Sequence, residues 1–436
     1  MNEATALTAV DVTGATARPL GRRDARTLLL SALGGALEFY DFVVFVFFAI
    51  PLSHLFFPPD TAPWLAQLQV FGIFAAGYLA RPLGGIVMAH YGDKRGRKRM
   101  FTLSVFLMAV PTLAIGLLPV YAQVGVLAPL LLLLLRVVQG VAVGGEVPGA
   151  WVFVAEHVPA RRIGFACASL TSGLTVGILI GSLVAAAING RMTPAAVLDY
   201  GWRLPFLAGG VFGFFAVWLR RWLSETPVFE AMHARRELAS GLPLRRVFER
   251  HLPGVALSVL VTWMLTAAIV VLILMTPTLV QSAFHVAPAR AFLGNSVASF
   301  TLALGCLFYG WLADRLGYAR ALLAGAIGLL VCGYALYFDL QAGAAHFVAL
   351  YALAGFAVGV VGVVPALMVM AFPPAVRFSG LSFSYNVAYA LFGGLTPPLI
   401  GLLMKQFGVL APAHYVAFTA VIGVAVACVQ LRRRHA

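Results

Sequence analysis

Gly92-Asp93-Lys94-Arg95-Gly96 and Ala313-Asp314-Arg315-Leu316-Gly317 are two versions of one short turn, with Asp314 standing 221 positions after Asp93. Two further echoes keep nearly the same spacing. Gly140-Val-Ala-Val-Gly144 matches Gly355-Phe-Ala-Val-Gly359, and Pro159-Ala-Arg-Arg162 matches Pro374-Ala-Val-Arg377, both at an offset of 215. Coincidences at about half the length of a 436-residue chain imply a duplicated unit.

Composition says what kind of unit was duplicated. The chain is 61% hydrophobic and 11% charged, with a mean hydropathy of +0.93. That is too apolar for a soluble protein. A helix crossing a bilayer needs about 20 apolar residues. Twelve such segments can be drawn, at 28–50, 68–90, 100–118, 126–156, 163–188 and 203–223, then at 254–280, 291–313, 320–338, 344–371, 379–403 and 412–431. The predicted fold class is an all-α membrane protein with twelve transmembrane helices in two six-helix bundles. Its parts are an N-terminal tail (1–27), a first bundle (28–223), a linker (224–253), a second bundle (254–431) and a C-terminal tail (432–436). The linker is the longest charged stretch and has room for a short amphipathic helix around Leu244 to Arg250. Leu28 to Ile50 is longer than a signal-peptide core and carries two carboxylates, so it reads as a first span. Both copies begin on one side, so the repeats are parallel, related by an axis along the membrane normal.

The net charge of +14 and pI of about 10.1 would suggest nucleic acid in a soluble protein. The distribution excludes that partner: the segments predicted to be cytoplasmic hold 24 of the 30 Lys and Arg. This asymmetry places both termini in the cytoplasm. The four cysteines, Cys167, Cys306, Cys332 and Cys428, fall in apolar segments with no paired spacing, so neither a disulfide framework nor a metal site is expected. No histidine cluster, nucleophile and base spacing or cofactor motif appears in the spans, which argues against an enzyme.

Arg81-Pro-Leu-Gly-Gly85 running into Gly92-Asp93-Lys94-Arg95-Gly96-Arg97-Lys98, together with Arg136-Val-Val-Gln-Gly140, resembles the loop and fourth-span signatures of the major facilitator superfamily. Further stretches resemble its metabolite:proton symporter branch, whose carriers take citrate, 2-oxoglutarate, shikimate and proline or betaine. These are Leu37-Glu38-Phe-Tyr-Asp41-Phe42, Gly144-Gly-Glu146, Gly201-Trp-Arg-Leu-Pro-Phe206, Glu225-Thr-Pro-Val-Phe229 and Arg377-Phe-Ser-Gly-Leu381 through Asn386 to Gly393-Gly394. The resemblance implies a multi-pass carrier in a bacterial-type inner membrane. Its partners would be a small-molecule substrate, protons and the lipid bilayer, and a monomer suffices to form the path.

Glu38 and Asp41 lie three apart on one helical face, near the bilayer midplane by residue counting. Carboxylates there must be paired, protonated or wet. Two so close do not both ionise easily, which suits a group that loads and releases a proton, or one that meets a substrate. Arg136 falls at matching depth on the fourth span. The resemblance implies that it exchanges with the first-span acid and then grips a substrate carboxylate; the plainer alternative is an ion pair joining two helices. Arg81 and Glu146 lie nearer the cytoplasm, either pairing with each other or lining the inner mouth, with packing and gating as their expected work. Asp93 and Arg97 are expected to latch the cytoplasmic face, with Arg162 and Glu225 as partners and with Asp314 and Arg315 as the second latch. The deep part of the second half has no ionisable residue; Tyr385, Asn386 and Tyr389 supply polar groups for a substrate there. The seventh span, from Thr262 to Pro277, carries few polar side chains. The expected function is proton-driven symport of a small organic acid such as citrate, tricarballylate or 2-oxoglutarate by alternating access. Alternatives are import of a zwitterion of the proline or betaine type, proton antiport exporting a drug or metabolite, and a non-transporting membrane sensor.

Overall fold

The computed structural model describes residues 21–95, 97–219, 243–373 and 376–435; the side chains of Glu38, Asp93 and Arg97, and all of Glu225, lie outside the described residues. The six helices of the first half are α1 (Arg22–Phe47), α2 (Pro63–Arg95), α3 (Arg97–Leu117), α4 (Leu127–His157), α5 (Ile163–Arg191) and α6 (Arg203–Leu219). Those of the second are α7 (Leu252–Phe284), α8 (Pro288–Leu316), α9 (Tyr318–Gln341), α10 (Phe347–Met370), α11 (Arg377–Phe407) and α12 (Ala411–His435). Among the described residues nine helices are long and apolar enough to cross a membrane, and the shorter apolar stretches Leu103–Leu117 and Arg203–Trp218 join α1 to complete twelve. An all-helical solution follows from the solvent, because lipid offers no partner to a backbone N–H or C=O. The linker helix, Pro243–Arg250, buries Val247 and exposes Arg245, Arg246 and Arg250. It lies at the end of the molecule that carries most of the Lys and Arg, called here the basic end.

The repeated glycines mark the tightest helix crossings. A Cβ added at Gly140 would collide with the Gly77 carbonyl, and one at Gly144 with the Arg81 carbonyl, so α4 lies backbone to backbone on α2. In the second half Gly355 meets the Ala298 backbone and Gly359 meets Gly305, so α10 lies on α8 in the same way. Association of helices in lipid rests on such close approach, since burial of apolar surface drives nothing there. The sequence echo at offset 215 is therefore one packing solution used twice.

The second half departs from regular α-helix inside its spans. A wider π-turn segment, Ala268–Met275, interrupts α7, and another, Tyr389–Gly393, interrupts α11. Widened turns shift carbonyls out of the regular ladder. Two of those in α7 gain side-chain donors: Tyr351 donates to the Leu272 carbonyl at 2.7 Å and Thr276 to the Val271 carbonyl at 2.8 Å. Between the halves α5 lies along α8, and α2 lies along α11.

Gly144→Val and Gly359→Val each force a backbone crossing apart. Each is expected to cost about 3 kcal/mol or more, seen as a lowered melting temperature of the purified protein in detergent, whereas Gly401→Ala, which meets nothing within 4 Å, should leave it unchanged.

Candidate functional site

The contact of α2 with α4 sets two buried arginines at the heart of the molecule. Arg136 projects from α4 beneath aromatic rings, its guanidinium carbon 4.3 Å from the Phe45 ring centre and 5.5 Å from that of Phe74. Its Nη1 donates to Gln139 Oε1 at 2.8 Å, one turn along the same helix. Gln139 Nε2 donates in turn to Thr112 Oγ1 on α3 at 2.7 Å, and Thr112 donates to the Met108 carbonyl at 2.9 Å. Asp41 of α1 and Thr112 of α3 both stand beside Gly209 of α6. Room for this carboxylate comes from α6, where a Cβ at Gly209 would strike Asp41 Oδ1 and one at Gly213 would lie 3.4 Å from Oδ2. All four polar side chains are buried.

Of the two first-span acids only the Asp41 side chain is among the described residues. Asp41 faces α3 and α6, inside the first half, with Thr112 and Gln139 standing between it and Arg136. Neither bridging residue was singled out from the sequence, although Gln139 follows Arg136 by three positions and so shares its face.

Arg81 of α2 occupies a box of three tyrosines. Its guanidinium carbon lies 4.4 Å from the Tyr389 ring centre, 5.2 Å from that of Tyr78 and 5.6 Å from that of Tyr385. The Tyr385 and Tyr389 rings lie 4.9 Å apart, centre to centre. Tyr78 stacks on Tyr389, with ring centres 5.2 Å apart. The box spans the boundary between halves, because Tyr78 and Arg81 belong to α2 and the other two rings to α11. Arg81 and Glu146, expected either to pair with each other or to line the inner mouth, have different neighbours here. Glu146 accepts a hydrogen bond from Ser104 of α3 at 2.8 Å, while Arg81 sits with the tyrosines assigned to substrate.

Beside the box, between the halves, lies a cavity of about 30 Å³ walled by Phe39, Trp151, Tyr385 and Tyr389, by Thr171 and Thr175, and by aliphatic side chains of α5, α7 and α10. The Trp151 and Tyr385 rings meet edge to face at 4.9 Å, and Trp151 Nε1 donates to Thr171 Oγ1 at 3.2 Å. Phe39, Trp151 and Thr171 were missed by sequence reasoning. An apolar residue within a span carries no mark distinguishing a cavity wall from a lipid contact. Among the described residues that wall the cavity, neither Arg136 nor Asn386 appears.

Asn386 holds the halves together instead. Its Nδ2 donates to the Gly144 carbonyl of α4 at 2.6 Å and to the Ser382 carbonyl at 2.9 Å. Nearer the basic end, Asp314 of α8 accepts hydrogen bonds from the Gly164 and Phe165 N–H groups at 2.9 and 3.1 Å, capping the first turn of α5. Arg377 lies 3.6 Å from Glu156 and donates to the Val369 carbonyl at 3.0 Å. Arg315 rests on Trp311, 4.7 Å from its ring centre, and Arg162 is exposed. Toward the opposite end Ser182 of α5 donates to the Phe292 carbonyl at 3.0 Å and accepts from Asn295 at 3.2 Å and Ser296 at 3.1 Å. The halves thus touch on both sides of the cavity.

Two helical bundles closing on a central cavity define a membrane transporter. The chain belongs to the sugar (and other) transporter family, within the major facilitator superfamily: the profile of that family matches residues 27–247. The Staphylococcus aureus (strain COL) protein named "Putative proline/betaine transporter" is 33% identical over 417 residues, covering 92% of this chain and 87% of its own. The shikimate transporter of Escherichia coli (strain K12) is 31% identical over 392 residues, covering 88% and 89%. The glycine betaine/proline/ectoine/pipecolic acid transporter OusA of Dickeya dadantii (strain 3937) is 29% identical over 413 residues, covering 91% and 81%. Among solved structures, the proton:xylose symporter XylE bound to 6-bromo-6-deoxy-D-glucose superposes with a TM-score of 0.76 at 16% identity, over 94% of this chain and 95% of that one, a likeness of fold alone.

Asp314→Ala removes both acceptors from the first turn of α5, beneath which Cys167 is buried. Alkylation of Cys167 by a water-soluble maleimide, followed by mass spectrometry of its peptide, is expected to quicken about tenfold, in line with the loss of one or two charge-assisted hydrogen bonds.

Proposed function

We propose that this transporter imports a small zwitterion bearing a quaternary or secondary ammonium group and one carboxylate, of the glycine betaine or proline type, together with a proton. The observation that carries the reading is the set of four aromatic rings, Phe39, Trp151, Tyr385 and Tyr389, on the cavity wall. Aromatic faces attract a cation, most strongly when it has little hydration to lose, as a quaternary ammonium has. A tricarboxylate would need several cationic partners, whereas one guanidinium beside the box, that of Arg81, matches one carboxylate in charge. Relatives named for proline and betaine support the same choice over citrate or 2-oxoglutarate.

Proton coupling is assigned to Asp41. With Asp41 ionised, the Thr112 hydroxyl turns toward the carboxylate. With Asp41 protonated, the Thr112 hydroxyl stays with the Met108 carbonyl. Gln139 follows the Thr112 oxygen with one end and holds Arg136 with the other, so a proton taken up between α1 and α3 is felt on α4. The cluster of Lys and Arg orients the basic end toward the cytoplasm, and the contacts of Asp314, Asn386 and Arg377 serve there as the inner gate. The domain limits follow the helix pattern, with the linker joining two bodies that rock about the cavity.

Proteoliposomes with an inward proton gradient are expected to accumulate labelled glycine betaine or proline. Asp41→Asn should abolish that accumulation while leaving exchange of internal for external substrate. Uptake of citrate or shikimate without either zwitterion would overturn the substrate assignment. Gln139→Leu should lower the accumulation ratio about tenfold through loss of a hydrogen bond to a charged group. Trp151→Ala should weaken betaine binding by about fivefold to thirtyfold, the range of a desolvated ring contact.

A further inference from the structure

Within α7 stands Pro277, which has no N–H to offer. The π segment Ala268–Met275 joins carbonyls to N–H groups five residues on, ending with the bond from the Thr276 N–H to the Val271 carbonyl. By the same pattern the Leu272 carbonyl would take the N–H of residue 277, where the proline stands. The Tyr351 hydroxyl of α10 supplies the missing donor, at 2.7 Å. In a regular α-helix the Leu272 carbonyl would take the Thr276 N–H and would not need the tyrosine. The Tyr351 hydroxyl therefore supports the wider register of α7. It also has a second acceptor: Asn295 Oδ1 of α8 lies 2.5 Å away, and Asn295 Nδ2 donates to Ser182 Oγ of α5 at 3.2 Å, in the contact between the halves opposite the basic end. A tyrosine hydroxyl has one proton and can give it fully to one acceptor only. Tyr351, Asn295 and Ser182 are all fully buried, away from bulk water. The register they bear on also shapes the cavity, which α7 walls through Leu265 and Ile269, the latter inside the π segment.

We propose that Tyr351 is a positioning residue of the transport cycle, its one hydroxyl proton linking the register of α7 to the contact between the halves opposite the basic end. With the proton on the Leu272 carbonyl, the π register is held and Asn295 loses its donor, so the amide is less firmly set toward Ser182. With α7 in the regular register, the Thr276 N–H takes the Leu272 carbonyl, the proton passes to Asn295, and the contact with α5 tightens. The cavity decides between the two. At about 30 Å³ it admits a water molecule or two and no metabolite, so it must widen to take a substrate. A regular turn is slimmer than a π-turn, and drawing α7 into the regular register makes room beside Ile269. Substrate in the cavity thus tightens the contact that closes one side behind it, and an empty cavity relaxes that contact. The proposal rests on the cavity as the substrate's place, and not on the zwitterion assigned to it.

The first test needs no substrate. Ala289, on the first turn of α8, faces Gly190 of α5 at the same end, where a Cβ added at Gly190 would lie 3.9 Å from that of Ala289. In the purified full chain in lipid nanodiscs, Ala289→Cys reports opening of the contact through its rate of reaction with a water-soluble maleimide, read by mass spectrometry of the peptide carrying residue 289. In that background Pro277→Ala gives the Leu272 carbonyl a backbone donor in either register. It frees the Tyr351 proton for Asn295 and should slow labelling about threefold to tenfold. Tyr351→Phe should quicken labelling by a similar factor and, combined with Pro277→Ala, should abolish the slowing. A loosened fold quickens labelling, so slowing is a change that mere destabilisation does not produce. Thr301→Val cuts another bond between α8 and α10, 2.7 Å long and made to the Ala352 carbonyl, and should leave the slowing intact. Should Tyr351→Phe fail to fold, Asn295→Leu takes its place, since it too should abolish the slowing. Faster or unchanged labelling in Pro277→Ala, slowing that persists without the Tyr351 hydroxyl or the Asn295 amide, or slowing lost in Thr301→Val overturns the proposal. In a second arm, saturating glycine betaine should slow labelling while Tyr351 is present and have no effect in Tyr351→Phe; betaine that binds without slowing also overturns it. Absence of betaine and proline binding removes the zwitterion reading alone, because the comparison of Pro277→Ala with Tyr351→Phe still decides the role of the hydroxyl.

Discussion

A charged side chain at membrane depth must be solvated by protein, and that requirement organises this molecule. Asp41, Arg81, Arg136 and Glu146 are all buried. Each is surrounded in a different way. Asp41 lies against glycines of α6 and near a hydroxyl of α3; Arg136 has an amide and aromatic faces; Arg81 has three tyrosines; Glu146 has a serine hydroxyl. Glycines make this possible, since the α2 and α4 backbones must touch for residues on both helices to converge at one level. The polar interior and the bare helix faces are thus two sides of one arrangement.

Much of the fold was legible in the sequence because its signals are periodic and redundant. Apolar length gave the spans, and the echo of Gly140 and Gly144 in Gly355 and Gly359 gave the duplication, which the structure explains as a repeated backbone crossing. The site was legible only in part. Asp41, Arg136, Arg81 and the α11 tyrosines stand out because polar groups are rare in spans, yet which of them meet depends on helix rotation, which spacing along one helix does not reveal. Arg81 was given either Glu146 or the inner mouth as its surroundings by depth alone, and it faces tyrosines across the boundary between halves. Asn386 was marked for substrate and instead holds Gly144. Thr112, Gln139 and Trp151 were passed over because neutral or aromatic residues look unexceptional in an apolar run. Substrate class suffered most from this. Ionisable residues were weighed and cavity walls were not, so the organic acid expected from the sequence differs from the zwitterion proposed above on the ring-lined cavity.

The wider turns within α7 and α11 carry a consequence for how the duplicated halves have diverged. A duplication starts with two mechanically equal bodies. The first half holds the buried acids, and among the described residues its spans contain no π segment; the second holds no deep charge and carries both interruptions. Such a division resembles a bearing and a flexure. On the coupling proposed above, the body assigned to protons keeps a regular helical geometry within its spans, while the wider turns fall where only neutral groups must be re-partnered. Hydrogen-bonded turns can be remade there without stranding a charge in lipid, which makes the second half the safer place for wear.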